Sequence, residues 1–165
     1  MNVEIREADF ADPVHRAAIV DVLDSYSADP IGAGAPLAVD VRARLVDGLR
    51  DHPTALVLLA FADRRAVGIA VCFFGFSTFQ ARPLLNIHDL AVLPECRGSG
   101  VGRALLHAAE AHARRRGCGR ITLEVRDDNA RARALYDSFG FVDGPDNSIA
   151  TRFLSKPLRD HRSHD

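Results

Sequence analysis

The sequence predicts a single mixed α/β (α+β) domain, with helices flanking a largely antiparallel central sheet. Two observations carry this. First, the middle of the chain holds β-rich apolar runs joined by short polar turns, as in a meander. Second, segments of helical period precede the meander and alternate with strands after it.

In chain order, Val3–Arg6 alternates apolar and polar residues and reads as a first strand. Asp12 caps a helix that has Pro13 at its first position, carries Val14, Ala17, Ala18, Val22 and Leu23 on one face and ends near Tyr26. Glycine and proline make Ala28–Pro36 a flexible loop. Asp40–Asp51 is a second helix, with Val41, Leu45 and Leu49 in register and Pro53 beyond its end. Thr54–Phe61 and Val67–Phe79 form a hairpin around Asp63–Arg65, and Leu84–Val92 continues the meander. After a loop at Pro94–Gly98 come a helix over Val101–Arg116 closed by Gly117, a strand over Arg120–Arg126, and a helix over Asn129–Phe139 closed by Gly140. Phe141–Asp143 begins a short strand, Gly144–Asn147 is a turn, and Ile149–Leu154 is a final strand. The domain is expected over residues 1–158, followed by a polar tail, 159–165.

Composition excludes several classes. The 165 residues carry a net charge of −1, so no global basic field attracts nucleic acid or an anionic membrane. Cys72, Cys96 and Cys118 lack CxxC spacing, which suggests a reducing compartment and neither a disulfide framework nor a metal site. The longest apolar run, Ala66–Phe76, is too short to span a bilayer, and the first residues lack a signal-peptide pattern. The expectation is a cytoplasmic protein with no nucleic-acid or membrane partner.

The sharpest local feature is Arg97-Gly98-Ser99-Gly100-Val101-Gly102-Arg103, between a strand and a helix. Glycines permit a tight turn and close ligand approach. Free amides of a first helical turn, with the helix dipole, favour an anion. Arg97 and Arg103 would add charge-assisted bonds to a pyrophosphate. A P-loop would need a following lysine, and the chain's one lysine is Lys156. A dinucleotide fingerprint would need a third glycine where Arg103 stands, and would not follow a long meander.

Arg97-x-x-Gly100-x-Gly102 resembles the Q/R-x-x-G-x-G/A loop of the GNAT N-acyltransferase superfamily. The resemblance extends upstream through His88-Asp89-Leu90-Ala91-Val92-x-Pro94. It extends downstream through Leu123-Glu124-Val125 and Asn129-x-x-Ala132-x-x-Leu135-Tyr136-x-x-x-Gly140-Phe141. It implies acetyl-CoA as cosubstrate, bound by main-chain groups of Leu90, Ala91 and Val92, by the loop Arg97, Gly98, Ser99, Gly100, Val101, Gly102 and Arg103, and by Asn129. It also implies that the strand of Leu90–Val92 splays from that of Leu123–Val125 to admit the pantetheine arm. Tyr136 matches the tyrosine that protonates the departing thiolate; a phenol with a pKa near 10 is suited to that step.

The resemblance further implies direct attack in a ternary complex, no metal, and a homodimer as a common assembly. His88 is the expected base, since imidazole titrates near neutrality. Asp89 and Glu124 are further acids nearby, but adjacent strand residues face opposite sides of a sheet, so His88 and Asp89 should not reach one acceptor. Tyr26–Leu37 and Gly75–Arg82 should wall the acceptor pocket, with Tyr26, Phe76, Ser77 and Phe79 touching the substrate. The expected acceptor is a primary amine of a small molecule. A protein N-terminus or lysine, and a non-catalytic CoA sensor, are the competing readings; a closed pocket separates the first from an open groove.

Overall fold

The computed structural model describes residues 2–142 and 155–156. Strand β1 is Glu4–Glu7, and helix α1 runs from Pro13 to Ala28. Asp12 caps α1 as its sequence predicts: the Val14 amide donates to its side chain at 2.7 Å. Helix α2 is Val39–Asp51. Strands β2 (Ala55–Ala62), β3 (Arg65–Ser77) and β4 (Arg82–Val92) form the meander. Asp63 and Arg64 both hold positive φ, +48° and +68°, the twist a two-residue hairpin turn demands. A single 3-10 turn at Pro94–Cys96 leads to helix α3, Val101–Arg115. Strand β5 is Arg120–Leu123 and helix α4 is Ala130–Phe139.

The five strands lie in sequence order, β1 to β5; the first four pair antiparallel, and β5 runs parallel to β4. Both sheet faces are covered. Leu58, Ala60, Ala70, Leu85 and Ile87 pack with Leu105, Leu106 and Ala109 of α3. Val57, Leu59, Ile69 and Ala91 pack with Ile19, Val22 and Leu23 of α1 and Val46 and Leu49 of α2. Ile19, Leu59, Ile69, Leu85 and Leu105 have no exposed surface, and each contributes roughly 1.5–3 kcal/mol by burial. The two-sided burial explains why β2 reads as one apolar run.

The strand expected over Arg120–Arg126 ends at Leu123. Beyond it the chain turns polar and closes locally, with the Arg126 guanidinium bonded to Asp128 at 2.7 and 2.9 Å. Ala28–Pro36 is held by its own hydrogen bonds instead of being an open loop. Ser27 Oγ donates to the Ala35 carbonyl, the Ala33 and Ala35 amides donate to the Ser27 carbonyl, and the Leu37 amide donates to Asp24. Gly32 is required there: a Cβ would stand 2.1 Å from the Tyr26 carbonyl oxygen.

Phe141 and Val142 are described and lie outside any strand. The expected turn at 144–147, strand at 149–154 and tail at 159–165 lie outside the described residues. Among the described residues, no helix is long and apolar enough to cross a membrane.

Candidate active site

Strands β4 and β5 pair only from Leu84↔Arg120 to Ile87↔Leu123. Asn86 braces this short ladder, its amide donating to Thr122 Oγ1 at 3.1 Å. Past Ile87 the β4 edge has no strand beside it among the described residues. The cause is visible in the register on the other side. Val71 pairs with Asp89 and Cys72 with Ile87, so His88 is an extra residue in β4, a bulge.

The bulge overturns the expectation that His88 and Asp89 face opposite ways. His88 stands edge-on to Phe73, with ring centroids 5.6 Å apart, and Phe73 packs on the α1/α2 face. Asp89 looks into a cavity on that same face. One inserted residue resets the alternation, so both side chains lie on one face of the sheet, and of the two only Asp89 lines the cavity.

Beyond the bulge the main chain of β4 is directional. The Leu93 amide donates to the Val67 carbonyl at 2.9 Å. By antiparallel alternation Ala91 and Asp89 also turn their main-chain groups toward β3, whereas Leu90 and Val92 turn theirs to the open edge. The Val92 carbonyl already accepts from Arg97 Nε at 3.1 Å. The Leu90 amide and carbonyl and the Val92 amide therefore face the gap. Ala91, expected among the cofactor contacts, is buried, and its main-chain groups turn toward β3.

At the end of that edge lies the glycine loop. Gly98 and Gly100 hold φ of +79° and +91°, and Gly100 is the residue before the first turn of α3. The first intrahelical bond runs from the Ala104 amide to the Gly100 carbonyl, so the amides of Val101, Gly102 and Arg103 have no intrahelical partner. A Cβ on Gly100 would meet nothing within 4 Å, so the loop opens onto free space. Positive-φ glycines, free amides and that open space fit a polyphosphate group. Gly102 serves packing: a Cβ there would lie 3.0 Å from Leu135 of α4. The Val101 side chain is core, and Ser99 Oγ donates back to the Cys96 carbonyl at 2.6 Å.

The Arg97 side chain, expected at the phosphate, is engaged within the protein. Its guanidinium donates to Asp29 Oδ2 at 2.7 Å as well as to Val92. Asp29 is mostly buried, and the Ile31 amide and Arg97 together hold its carboxyl below the usual range. Arg97 thus joins the glycine loop to the α1–α2 connection, its charge already matched. Arg103 donates to Ser138 Oγ at 2.6 Å, and Arg131 lies beside Gly98; neither has a carboxylate partner among the described residues.

Asn129 caps α4, accepting from the Ala132 amide at 3.1 Å. Tyr136 is buried on α4, 8% exposed, with Phe141 against its ring. Burial pushes its phenol up to about 12, with Tyr26 adding to the rise. The phenol of Tyr26 is raised in turn by burial, then by Asp89 and Asp29. Tyr26 of α1 is therefore near enough to both Asp89 and Tyr136 for their charges to interact. Burial also raises the Asp89 carboxyl, and His88 opposes that rise.

The cavity holding Asp89 has a volume of about 360 Å³. Leu23, Tyr26 and Ser27 of α1 form one wall, Ile31, Gly32, Ala33 and Leu37 the roof, and Leu45 of α2 the far side. The Tyr26–Leu37 wall is as expected; the Gly75–Arg82 wall is not. Phe76 and Phe79 are 62% and 98% exposed at the far end of the β3–β4 hairpin, and Ser77 is buried beside Arg120. None of the three lines the cavity, because β3 runs past the site and turns beyond it. Glu124 follows β5, exposed, and does not line it either.

The sequence matches the model of the Acetyltransferase (GNAT) family over residues 19–141, more than half of the chain. The chain belongs to the GNAT acetyltransferase family. As a GNAT protein it is an acyltransferase. It is 29% identical over 145 residues to an uncharacterized N-acetyltransferase, YhfO, of Bacillus subtilis, covering 84% of this chain and 89% of that one. It is 35% identical to the thialysine N-epsilon-acetyltransferase of Bos taurus, over 47% of this chain and only 45% of that relative. Its fold matches an aminoglycoside acetyltransferase from an uncultured soil metagenomic sample, solved with sisomicin. That match has a TM-score of 0.73 at 15% identity, covering 93% and 97% of the two chains.

Sequence reasoning missed several parts of this GNAT site. Asp29 sits in a glycine- and proline-containing loop with no periodicity, and its partner is 68 residues away. Leu37 and Leu45 read as a loop residue and a helix-core residue. Only the packing of α1, α2 and β4 around one space makes them pocket walls.

Proposed function

We propose that this GNAT protein transfers an acetyl group from acetyl-CoA to a primary amine of a small molecule, by direct attack with both substrates bound. The observation that carries it is the parting of β4 from β5 at the His88 bulge. It leaves a main-chain edge that runs from the glycine loop to the cavity containing Asp89.

Each part has a role. The free amides of Val101, Gly102 and Arg103 hold the pyrophosphate, with Arg103 and Arg131 supplying charge. The Leu90 amide and carbonyl and the Val92 amide pair with the pantetheine arm, and an amide of this edge polarises the thioester carbonyl. Asp89 holds the ammonium group of the acceptor, and His88 beside it takes the proton that must leave before attack. The amine nitrogen then bonds to the acetyl carbon as the carbon–sulfur bond breaks, and the nitrogen's second proton leaves to solvent, which restores the Tyr136 phenol once its own proton has gone to the thiolate. Tyr136 gives its proton to the thiolate; its raised pKa keeps that proton in place until a thiolate develops. Acetyl-CoA supplies the activated acyl group.

The cavity's volume, about 360 Å³, suits a small acceptor. The thialysine acetyltransferase among the relatives acts, by its name, on a small amine, which agrees with this reading. Calorimetry should give 1:1 binding of acetyl-CoA, and a screen of amines with thiol release as readout should give turnover. Absence of acetyl-CoA binding would defeat the proposal; binding without turnover of any amine would favour the sensor reading.

A further inference from the structure

We infer that the acceptor carries one positive charge on an apolar body, as an alkylamine or arylalkylamine does, and that a polycation is a poor substrate. This rests on the acetyl-transfer reading and deepens it.

The argument is an account of the charges around the cavity. Three carboxylates either bond to a lining residue or line the cavity themselves. Asp24 accepts from Arg42 at 2.5 Å and from the Leu37 amide at 2.8 Å. Asp29 accepts from Arg97 at 2.7 Å and from the Ile31 amide at 2.9 Å. Both are matched by an arginine, and both serve to fold the α1–α2 connection. Asp89 alone lines the cavity, and among the described residues it has no ion-paired or hydrogen-bonded partner.

Among the described residues the space therefore offers one place for a cation. The rest of the lining is mainly apolar, with Leu23, Ile31, Leu37 and Leu45 contributing side chains. A second ammonium placed against those leucines would lose its hydration and find no counter-charge. An alkyl or aryl group gains from the same surface by leaving water. The buried carboxyl of Asp89, raised when alone, would regain its ordinary charged state beside an ammonium group. The bulge puts His88 on the same sheet face as Asp89.

The test uses the full chain, acetyl-CoA and thiol release with four amines: hexylamine, 1,6-diaminohexane, phenethylamine and kanamycin. Hexylamine and phenethylamine should exceed 1,6-diaminohexane in kcat/KM by tenfold or more, and kanamycin by more still. Asp89→Asn should raise KM for hexylamine at least tenfold and leave the calorimetric Kd for acetyl-CoA within twofold. Leu45→Asp, which adds a second carboxylate to the wall, should narrow or reverse the preference for hexylamine over the diamine. Equal or better turnover of the diamine or kanamycin by the native chain overturns the inference while leaving acetyl transfer standing. An unchanged KM in Asp89→Asn overturns it as well. Failure to bind acetyl-CoA would remove the transferase reading and this inference together.

Discussion

The proposed cofactor side and the proposed acceptor side of the cleft are built from different materials. The cofactor side is mostly backbone: the Leu90 and Val92 edge, the positive-φ loop at Gly98 and Gly100, and the free amides of α3. The acceptor side is mostly side chains, brought from α1, the α1–α2 connection, α2 and β4. Backbone sites depend on conformation, so their trace in a sequence is glycine placement. Side-chain sites depend on which distant residues meet, so they can change without disturbing the fold. One pair joins the sides: Arg97 in the glycine loop and Asp29 under the acceptor roof.

Four substitutions would break or sharpen that contrast. Tyr136→Phe should act on chemistry alone. It should lower kcat by about 10²-fold or more, the usual worth of a positioned general acid, with the acetyl-CoA Kd unchanged. A kcat within twofold of native, in conditions where chemistry limits the rate, would remove Tyr136 from the mechanism.

Gly100→Trp should act on the cofactor side alone. The residue stands at φ +91° facing open space, so the indole would fill the phosphate cradle and strain the loop by roughly 1–2 kcal/mol. Calorimetric affinity for acetyl-CoA should fall about 100-fold, or nearly 3 kcal/mol. Unchanged affinity would place the pyrophosphate elsewhere.

Arg97→Gln tests the link. If Arg97 serves the roof through Asp29, the larger effect should be on the acceptor KM, by about fivefold, consistent with losing roughly 1 kcal/mol of a partly buried pair. Acetyl-CoA affinity should change less. The reverse ordering would return Arg97 to the phosphate.

Asp89→Asn should have the smallest effect on the fold and the opposite sign. A carboxyl whose folded-state pKa is raised stabilises the protein in acid, and that contribution is lost as pH rises through the folded pKa. At neutral pH the buried carboxylate is a net cost. The variant should melt a few degrees higher there, on the scale of about 2–4 °C per kcal/mol for a domain this size. The gain should shrink as pH falls toward the ordinary carboxylate range. A lower melting temperature at neutral pH would mean that Asp89 has a stabilising partner.

Much of the fold was legible because local rules and tertiary demands agree. Asp12 caps α1, Gly140 ends α4, and Asp63–Arg64 turns the β2–β3 hairpin. Tyr136 and the glycine loop were legible because their spacing belongs to a strand, a turn and a helix start read in order. His88 was misjudged because strict alternation applies to an unbroken strand, and the inserted residue lies in β4's pairing with β3, which no local pattern records. Phe76 and Phe79 were misplaced because apolar character does not tell how far a long hairpin reaches beyond a site.

The sequence by itself determined the α/β class, the meander, the anion-ready start of α3 and the family resemblance. All of these rest on local conformational preference and short-range spacing. Tertiary structure alone decided where β4 leaves β5, which way His88 and Asp89 turn, that Arg97 holds Asp29, and that a single unmatched carboxylate faces an apolar cavity. These features depend on pairings between residues far apart in the chain, and the geometry of such pairings exists only once both sheet faces have packed.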